Sequence, residues 1–188
     1  MKRNFSKIFF IIFISFFFFG KKAQAQYTEY EVKGAIVFQF MKNTTWNSKV
    51  FNDKPTIKLG ILGDDPFGEV IDNILKNRTI GGRRIEVLRK KDIRDLVGCH
   101  IIFMSKSQEF GIEETLSFIL NKSRFNSVLT VGDNIQDFCK LGGIINFKEG
   151  EKKYSFNLNA KTASEQKLIL DTKLMRLADE IINPQNRK

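Results

Sequence analysis

Apolar residues recur along this chain with two periods, and the switching between them predicts an alternation of helices and strands. Val32, Ala35, Ile36 and Phe40 stand at helical spacing behind Thr28, which can cap a helix while Glu31 returns the bond. A capped amphipathic helix is therefore expected over residues 29–42. A polar, turn-rich stretch over 43–55 holds Trp46 and Phe51, and an apolar, β-branched run over 56–62 then reads as a strand. Asp65 can cap the next helix and Pro66 suits its first position, with Phe67, Val70, Ile71, Ile74 and Leu75 as the buried stripe. Gly81 and Gly82 turn the chain into a second strand around Ile85 and Val87, and residues 92–97 suggest one or two helical turns.

The second half repeats the alternation. Residues 99–104 and 128–131 are short continuous apolar runs, the mark of strands covered on both faces. A helix is expected between them over 107–122, and a short one over 133–141, closed by Gly142 and Gly143. Residues 144–147 and 154–158 flank Glu149-Gly150-Glu151-Lys152 as the arms of a β-hairpin. A helix over 160–165, an extended 168–170 and a last helix over 172–182, stopped by Asn183-Pro184, complete the chain. The predicted class is α/β: a single-domain sandwich with a mostly parallel central sheet, an antiparallel hairpin at its edge and helices on both faces.

The first residues change how the composition is read. Lys2, Arg3 and Lys7 precede an apolar run over 8–20, and Ala23-Gln24-Ala25 supplies the small-residue pattern that a signal peptidase cuts. As a helix this run would rise roughly 20 Å, short of the ~30 Å hydrocarbon core, which favours a cleaved leader over an anchor. Residues 1–25 are thus expected to be a signal peptide cleaved after Ala25, and residues 26–188 the exported, periplasmic domain. The leader would carry off five basic residues and no acid, so the formal charge of +10 falls to +5, and eight of the nineteen Phe leave with it. A basic, Phe-rich chain raises the question of nucleic acid. After export that partner is not expected, and Arg78, Arg83, Arg84, Arg89 and Arg94 read either as a solvated edge or as a docking surface for an acidic partner.

Candidate chemistry is sparse. Gly63-Asp64-Asp65-Pro66 falls at the carboxyl end of a strand, where open α/β sheets place ligands. Asp64 and Asp65, with Asp133 after another strand, are the candidates for a small-solute crevice; a tight turn with a helix cap is the plainer reading of the first two. Paired acids there repel phosphate, and the chain has no glycine-rich nucleotide motif, so no cofactor is expected. His100 is the only histidine, and next to Cys99 on a strand it would point to the opposite face. That disfavours zinc and any serine–histidine–acid triad, and no metal or catalytic residue is assigned. Export permits a disulfide between Cys99 and Cys139, although a domain of this size does not need one.

Eight segments in order carry a family resemblance. They are Glu29-Tyr30-Glu31-Val32-Lys33-Gly34-Ala35, Gly60-Ile61-Leu62-Gly63-Asp64-Asp65-Pro66-Phe67-Gly68, Gly82-Arg83-Arg84-Ile85-Glu86-Val87, Cys99-His100-Ile101-Ile102-Phe103-Met104-Ser105, Val128-Leu129-Thr130-Val131-Gly132-Asp133, Gly142-Gly143-Ile144-Ile145-Asn146-Phe147, Phe156-Asn157-Leu158-Asn159-Ala160 and Lys173-Leu174-Met175-Arg176-Leu177-Ala178. Together they resemble the YfiR family across essentially the whole exported chain. The resemblance implies a non-enzymatic periplasmic regulator, a homodimer that binds the outer part of an inner-membrane diguanylate cyclase, or a sensor kinase, and represses it. An outer-membrane lipoprotein would relieve the repression, raising cyclic di-GMP and biofilm formation. The best-known members carry four cysteines in two bridges. Here Cys99 and Cys139 match one member of each pair, and Gly60 and Asn146 stand near the missing partners. The rival expectation is a periplasmic small-solute binding protein using the crevice near Asp64.

Overall fold

A computed structural model describes residues 28–51, 55–121, 125–149 and 154–182. The proposed leader and Asn183-Pro184 lie outside these residues. The first helix, α1 (Glu29–Lys42), starts as its sequence dictates: Thr28 accepts the Glu31 amide, and the Glu31 carboxylate accepts the Thr28 amide at 2.6 Å. Its capping box stabilises the helix by about 1 kcal/mol. Next come β1 (Thr44–Thr45), a 3-10 turn (Ser48–Phe51) and β2 (Thr56–Leu62), then α2 (Glu69–Leu75), β3 (Thr79–Ile80), β4 (Arg83–Lys90), a second 3-10 turn (Ile93–Leu96) and β5 (Ile101–Met104). A third 3-10 turn (Lys106–Gln108) leads into α3 (Ile112–Asn121) and β6 (Leu129–Gly132). The chain continues through β7 (Ile145–Lys148), β8 (Ser155–Asn159), α4 (Ala160–Glu165), β9 (Ile169–Leu170), α5 (Thr172–Leu177) and β10 (Glu180–Ile182).

Eight of these strands form one sheet in the order β10-β8-β7-β6-β5-β2-β4-β3. β4, β2, β5, β6 and β7 run parallel; β8 turns back against β7, and β3 against β4. β1 and β9 make a separate antiparallel pair. The sheet separates two apolar layers. On one face the odd residues Ile57, Leu59 and Ile61 of β2 and Ile101 and Phe103 of β5 meet α1, α2, α4 and α5. On the other, Leu62, Ile102 and Met104 meet α3, Cys99, Phe138 and Cys139. Period-two alternation across fully buried central strands explains why β5 and β6 read as unbroken apolar runs.

Five expectations give way to the structure. The last helix ends at Leu177 instead of 182, and Glu180–Ile182 becomes β10, parallel to β8. The free edge of β8 offers hydrogen bonds that β-branched Ile181 and Ile182 satisfy, outweighing their helical spacing. The hairpin of β7 and β8 therefore lies one strand inside the sheet edge. No helix forms over 133–141, because Asn134 and Asp137 hold positive φ (55° and 51°), which an α-helix cannot contain. α2 starts at Glu69 and not at Pro66, since Gly68 at φ 53° interrupts the turn that Asp65 caps through the Phe67 amide. Likewise Gly111 at φ 83° delays α3 to Ile112.

A buried ion pair fixes α1 on its layer. The Lys33 ammonium lies 2.6 Å from an Asp133 oxygen at the end of β6, and their side chains are 6% and 3% exposed. Glu29, one turn earlier, also reaches Lys33 (2.5 Å), and the Tyr30 hydroxyl donates to the other Asp133 oxygen at 3.0 Å. Lys33→Met would leave Asp133 buried without its cation. It is expected to cost about 3–5 kcal/mol in urea unfolding, while Lys33→Met/Asp133→Leu together should recover most of that loss.

Candidate functional site

The sheet reverses its winding between β2 and β5, since β4 lies to one side and β6 and β7 to the other. In such sheets the crevice for a ligand opens at the carboxyl ends of the two strands flanking the reversal. Gly63, Asp64 and Asp65 follow β2 there, Ser105 follows β5, and Asp133 follows β6. The sequence thus brings the three candidate acids to one end of the sheet.

Each of them is already engaged. Asp64 is exposed and ion-paired with Lys91. Asp65 accepts the Phe67 amide with one oxygen (2.8 Å) and Arg89 Nε with the other (2.6 Å). Arg89 also grips Asp72 and donates to the Gly68 carbonyl at 2.9 Å, so its guanidinium stitches the turn to α2. Its pKa is raised, first by the bond to Asp72. Asp133 is buried under Lys33 and Tyr30. Burial alone would push the Lys33 pKa down, but its bonds to Asp133 and Glu29 outweigh this and hold it above the ordinary value. Burial, reinforced by the Asp133 charge, pushes the Tyr30 phenol up to about 12.

The crevice between β2 and β5 is itself filled. Ser105 and Ser107 pair through their hydroxyls at 2.8 Å, and the Asp64 amide donates to Ser107 Oγ at 2.9 Å. A Cβ at Gly63 would stand 2.5 Å from Ser105 Oγ and 2.6 Å from Ser107 Oγ, and its φ of 94° demands glycine in any case. This arrangement closes a turn tightly. For a solute to enter beside Asp64 and Asp65, Lys91 and Arg89 would have to release them. Sequence reasoning missed Lys33, Tyr30, Ser105 and Ser107. The one available signal was a lysine at an interior position of an apolar helix face, and nothing local linked it to Asp133.

The other chemical candidates lie in the layers. His100 is buried: its Nδ1 accepts the Lys58 amide at 3.0 Å, and its ring stacks on Phe51 with centroids 4.8 Å apart. Cys99 and Cys139 are both buried free thiols. Burial lifts Cys99 to about 11 and Cys139 to about 12, so neither presents a thiolate near neutral pH. Among the described residues no group of three or more His, Cys, Asp or Glu is placed to hold a metal ion.

The structure places Gly60 beside Cys99. A Cβ on Gly60 would lie 3.1 Å from Cys99 Sγ, the reach of a disulfide partner, with Leu96 the atom group that must shift. Around Cys139, Asn146 makes two hydrogen bonds with the Ile135 backbone (2.8 and 3.1 Å), and Asn159 holds the Cys139 carbonyl at 2.7 Å. Neutral amides secure this segment without a bridge.

A family model described as YfiR/HmsC-like matches residues 30–179, from the first turn of α1 to the residue before β10. The chain belongs to the YfiR/HmsC-like family. The match spans both layers of the sandwich, the Lys33–Asp133 pair and both cysteines. YfiR/HmsC-like proteins are a family of periplasmic regulators. No curated protein matches the chain. Among the described residues no helix is long and apolar enough to cross a membrane.

Two predictions follow from the thiols. Both keep their protons to higher pH in the folded state, so the stability they lend is complete below about pH 9 and is lost as pH climbs toward 11–12. Urea midpoints should fall across that window, and less steeply in Cys99→Ala/Cys139→Ala. Gly60→Cys should oxidise onto Cys99: thiol titration of the unfolded variant is expected to find one free thiol, Cys139, in place of three.

Proposed function

We propose that this chain is an exported repressor that binds the periplasmic part of an inner-membrane signalling receptor of the diguanylate cyclase type and holds it inactive. Repression of such a receptor lowers cyclic di-GMP and with it biofilm formation. The observation that carries the reading is the family match over 30–179, which leaves no described domain unaccounted for. The leader over residues 1–25 belongs to the same proposal, since it would deliver residues 26–188 to the periplasm.

The described chemistry fits a protein that acts by binding and not by catalysis. Its one histidine is locked in a layer, its thiols are protonated, and its strand-end acids are neutralised by Lys91, Arg89 and Lys33. A binding regulator shifts a receptor only by the difference in its affinity for the two receptor states, so it needs surface and not a pocket. Phe110 (97% exposed), Leu177 (71%) and Ile169 (69%) put apolar side chains into water. Lys173 and Arg176 stand exposed on the same short helix as Leu177, with Asp179 just beyond it. These residues and the outer face of α1 are the candidate contacts for the receptor or for a second copy in a homodimer. An outer-membrane lipoprotein that competes for the same surface would relieve repression.

The test is capture from solubilised inner membranes by the protein purified from the periplasmic fraction. The expected result is recovery of a receptor with a periplasmic sensor domain and a diguanylate cyclase or kinase domain, identified by mass spectrometry. Recovery of no membrane protein, with a small molecule co-purifying instead, overturns the repressor reading and favours solute binding.

A further inference from the structure

The two ends of the sheet are finished differently. β10 runs along β8 for three residues and is the edge strand on that side. At the opposite end β3, which the chain enters from α2, covers only Arg83 and Arg84 of β4, through Ile80 and Thr79. The Arg84 amide donates to the Pro55 carbonyl and the Lys90 carbonyl accepts from Gly63, so the even residues of β4 turn their backbone groups toward β2. The odd residues Ile85, Val87 and Arg89 turn theirs outward. Among the described residues no strand pairs with that stretch.

A cleft of about 590 Å³ runs beside this edge, lined by Lys76, Arg78, Thr79, Arg84, Ile85 and Val87 among others. Its one acid, Asp72, is held by Arg89. Lys76, Arg84 and Lys90 are exposed, and no ion pair is made by any of them among the described residues. Glu86, between Arg84 and Lys90 on the same face, is offset by Lys58 at 3.8 Å. The edge is therefore an open row of backbone donors and acceptors with a half-buried apolar strip on one face and unpaired cations flanking it.

We infer that the outer edge of β4, from Ile85 to Lys90, docks an extended acidic segment of a partner protein, which adds to the sheet as a strand. Main-chain bonds to Ile85 and Val87 supply the pairing, and alternate side chains supply selectivity. Apolar residues of the segment face Ile85 and Val87, and acidic ones face Arg84 and Lys90. A second copy of this chain fits poorly: antiparallel pairing of two β4 edges about Val87 would set Arg84 opposite Lys90, and like charges directly opposite destabilise a sheet. The inference goes beyond the repressor reading and does not depend on the partner being a cyclase.

The test titrates the protein with short fluorescein-labelled peptides, one alternating Glu and Val, the other Lys and Val, while amide exchange at Ile85 and Val87 is followed by NMR. The Glu–Val peptide is expected to bind and to slow exchange at both amides, and the Lys–Val peptide to do neither. Arg84→Glu/Lys90→Glu, two exposed positions, should weaken the Glu–Val peptide by roughly tenfold and favour the Lys–Val peptide. Binding that leaves Ile85 and Val87 unprotected, affinity unchanged by the reversal, or no binding of the Glu–Val peptide each overturns the proposal.

Discussion

The Lys33–Asp133 pair is the constraint on which the arrangement of this domain turns. It joins the second turn of α1 to the end of β6, a hundred residues away in sequence. Two charges taken from water carry a desolvation penalty that one contact does not fully repay, so the pair is not read as a large net source of stability. Glu29 and Tyr30 supply the further bonds that make burial tolerable. What the pair fixes is position. With Lys33 pinned at the strand end, Val37, Phe40 and Met41 fall onto the sheet, and Phe40 meets Phe147 and Phe156 with centroids 5.4 and 4.9 Å apart. The far end of α1 is then held by the β1–β9 pair and by the Asp171 amide on the Asn43 carbonyl.

The same pair bears on function. An α/β sheet with a reversal between β2 and β5 has a ready location for a ligand, and this chain has used it for structure. Asp133 is committed to α1, Asp65 to the α2 turn, and Gly63 to a serine pair. Once those groups are engaged, the strand ends have little left to offer a polar solute. Membership of a family of periplasmic regulators agrees with that distribution of chemistry.

Much of this was legible in the sequence where local rules act alone. The Thr28–Glu31 box fixed the start of α1, and β2 and α4 occupy the expected residues, because capping, period-two alternation and turn residues are short-range signals. Where tertiary bonds compete, sequence reasoning failed in identifiable ways. Ile181 and Ile182 have the spacing of a helix stripe, yet the open edge of β8 made them a strand. Asn146, reaching across to Ile135, helps hold residues 134–141 as turns with Asn134 and Asp137 in the left-handed region. Asp64, Asp65 and Asp133 stand at one end of the sheet, but their partners Lys33, Arg89 and Lys91 come from three different elements, and no local pattern announces such pairings. The closeness of Gly60 to Cys99 is not announced by the sequence, since glycine carries no sign of the thiol beside it.

The cations around the second strand show how one pattern can serve two ends. Five arginines between residues 78 and 94 look uniform in sequence, but the fold divides them. Arg89 and Arg94 are spent on nearby acids, and Arg78 and Arg83 lie over the rings of Phe38 and Phe51 at 4.6 and 4.1 Å. Arg84 has neither kind of partner and stands where β3 stops covering β4. Charges at a bare edge keep strands of neighbouring molecules from pairing at random. The repulsion that excludes a like-charged strand admits an acidic one, so protection against aggregation and selection of a partner need not be separate devices. Ile85 and Val87 pack against the main apolar layer and stay half-exposed, so the same edge carries an apolar rim beside its cations.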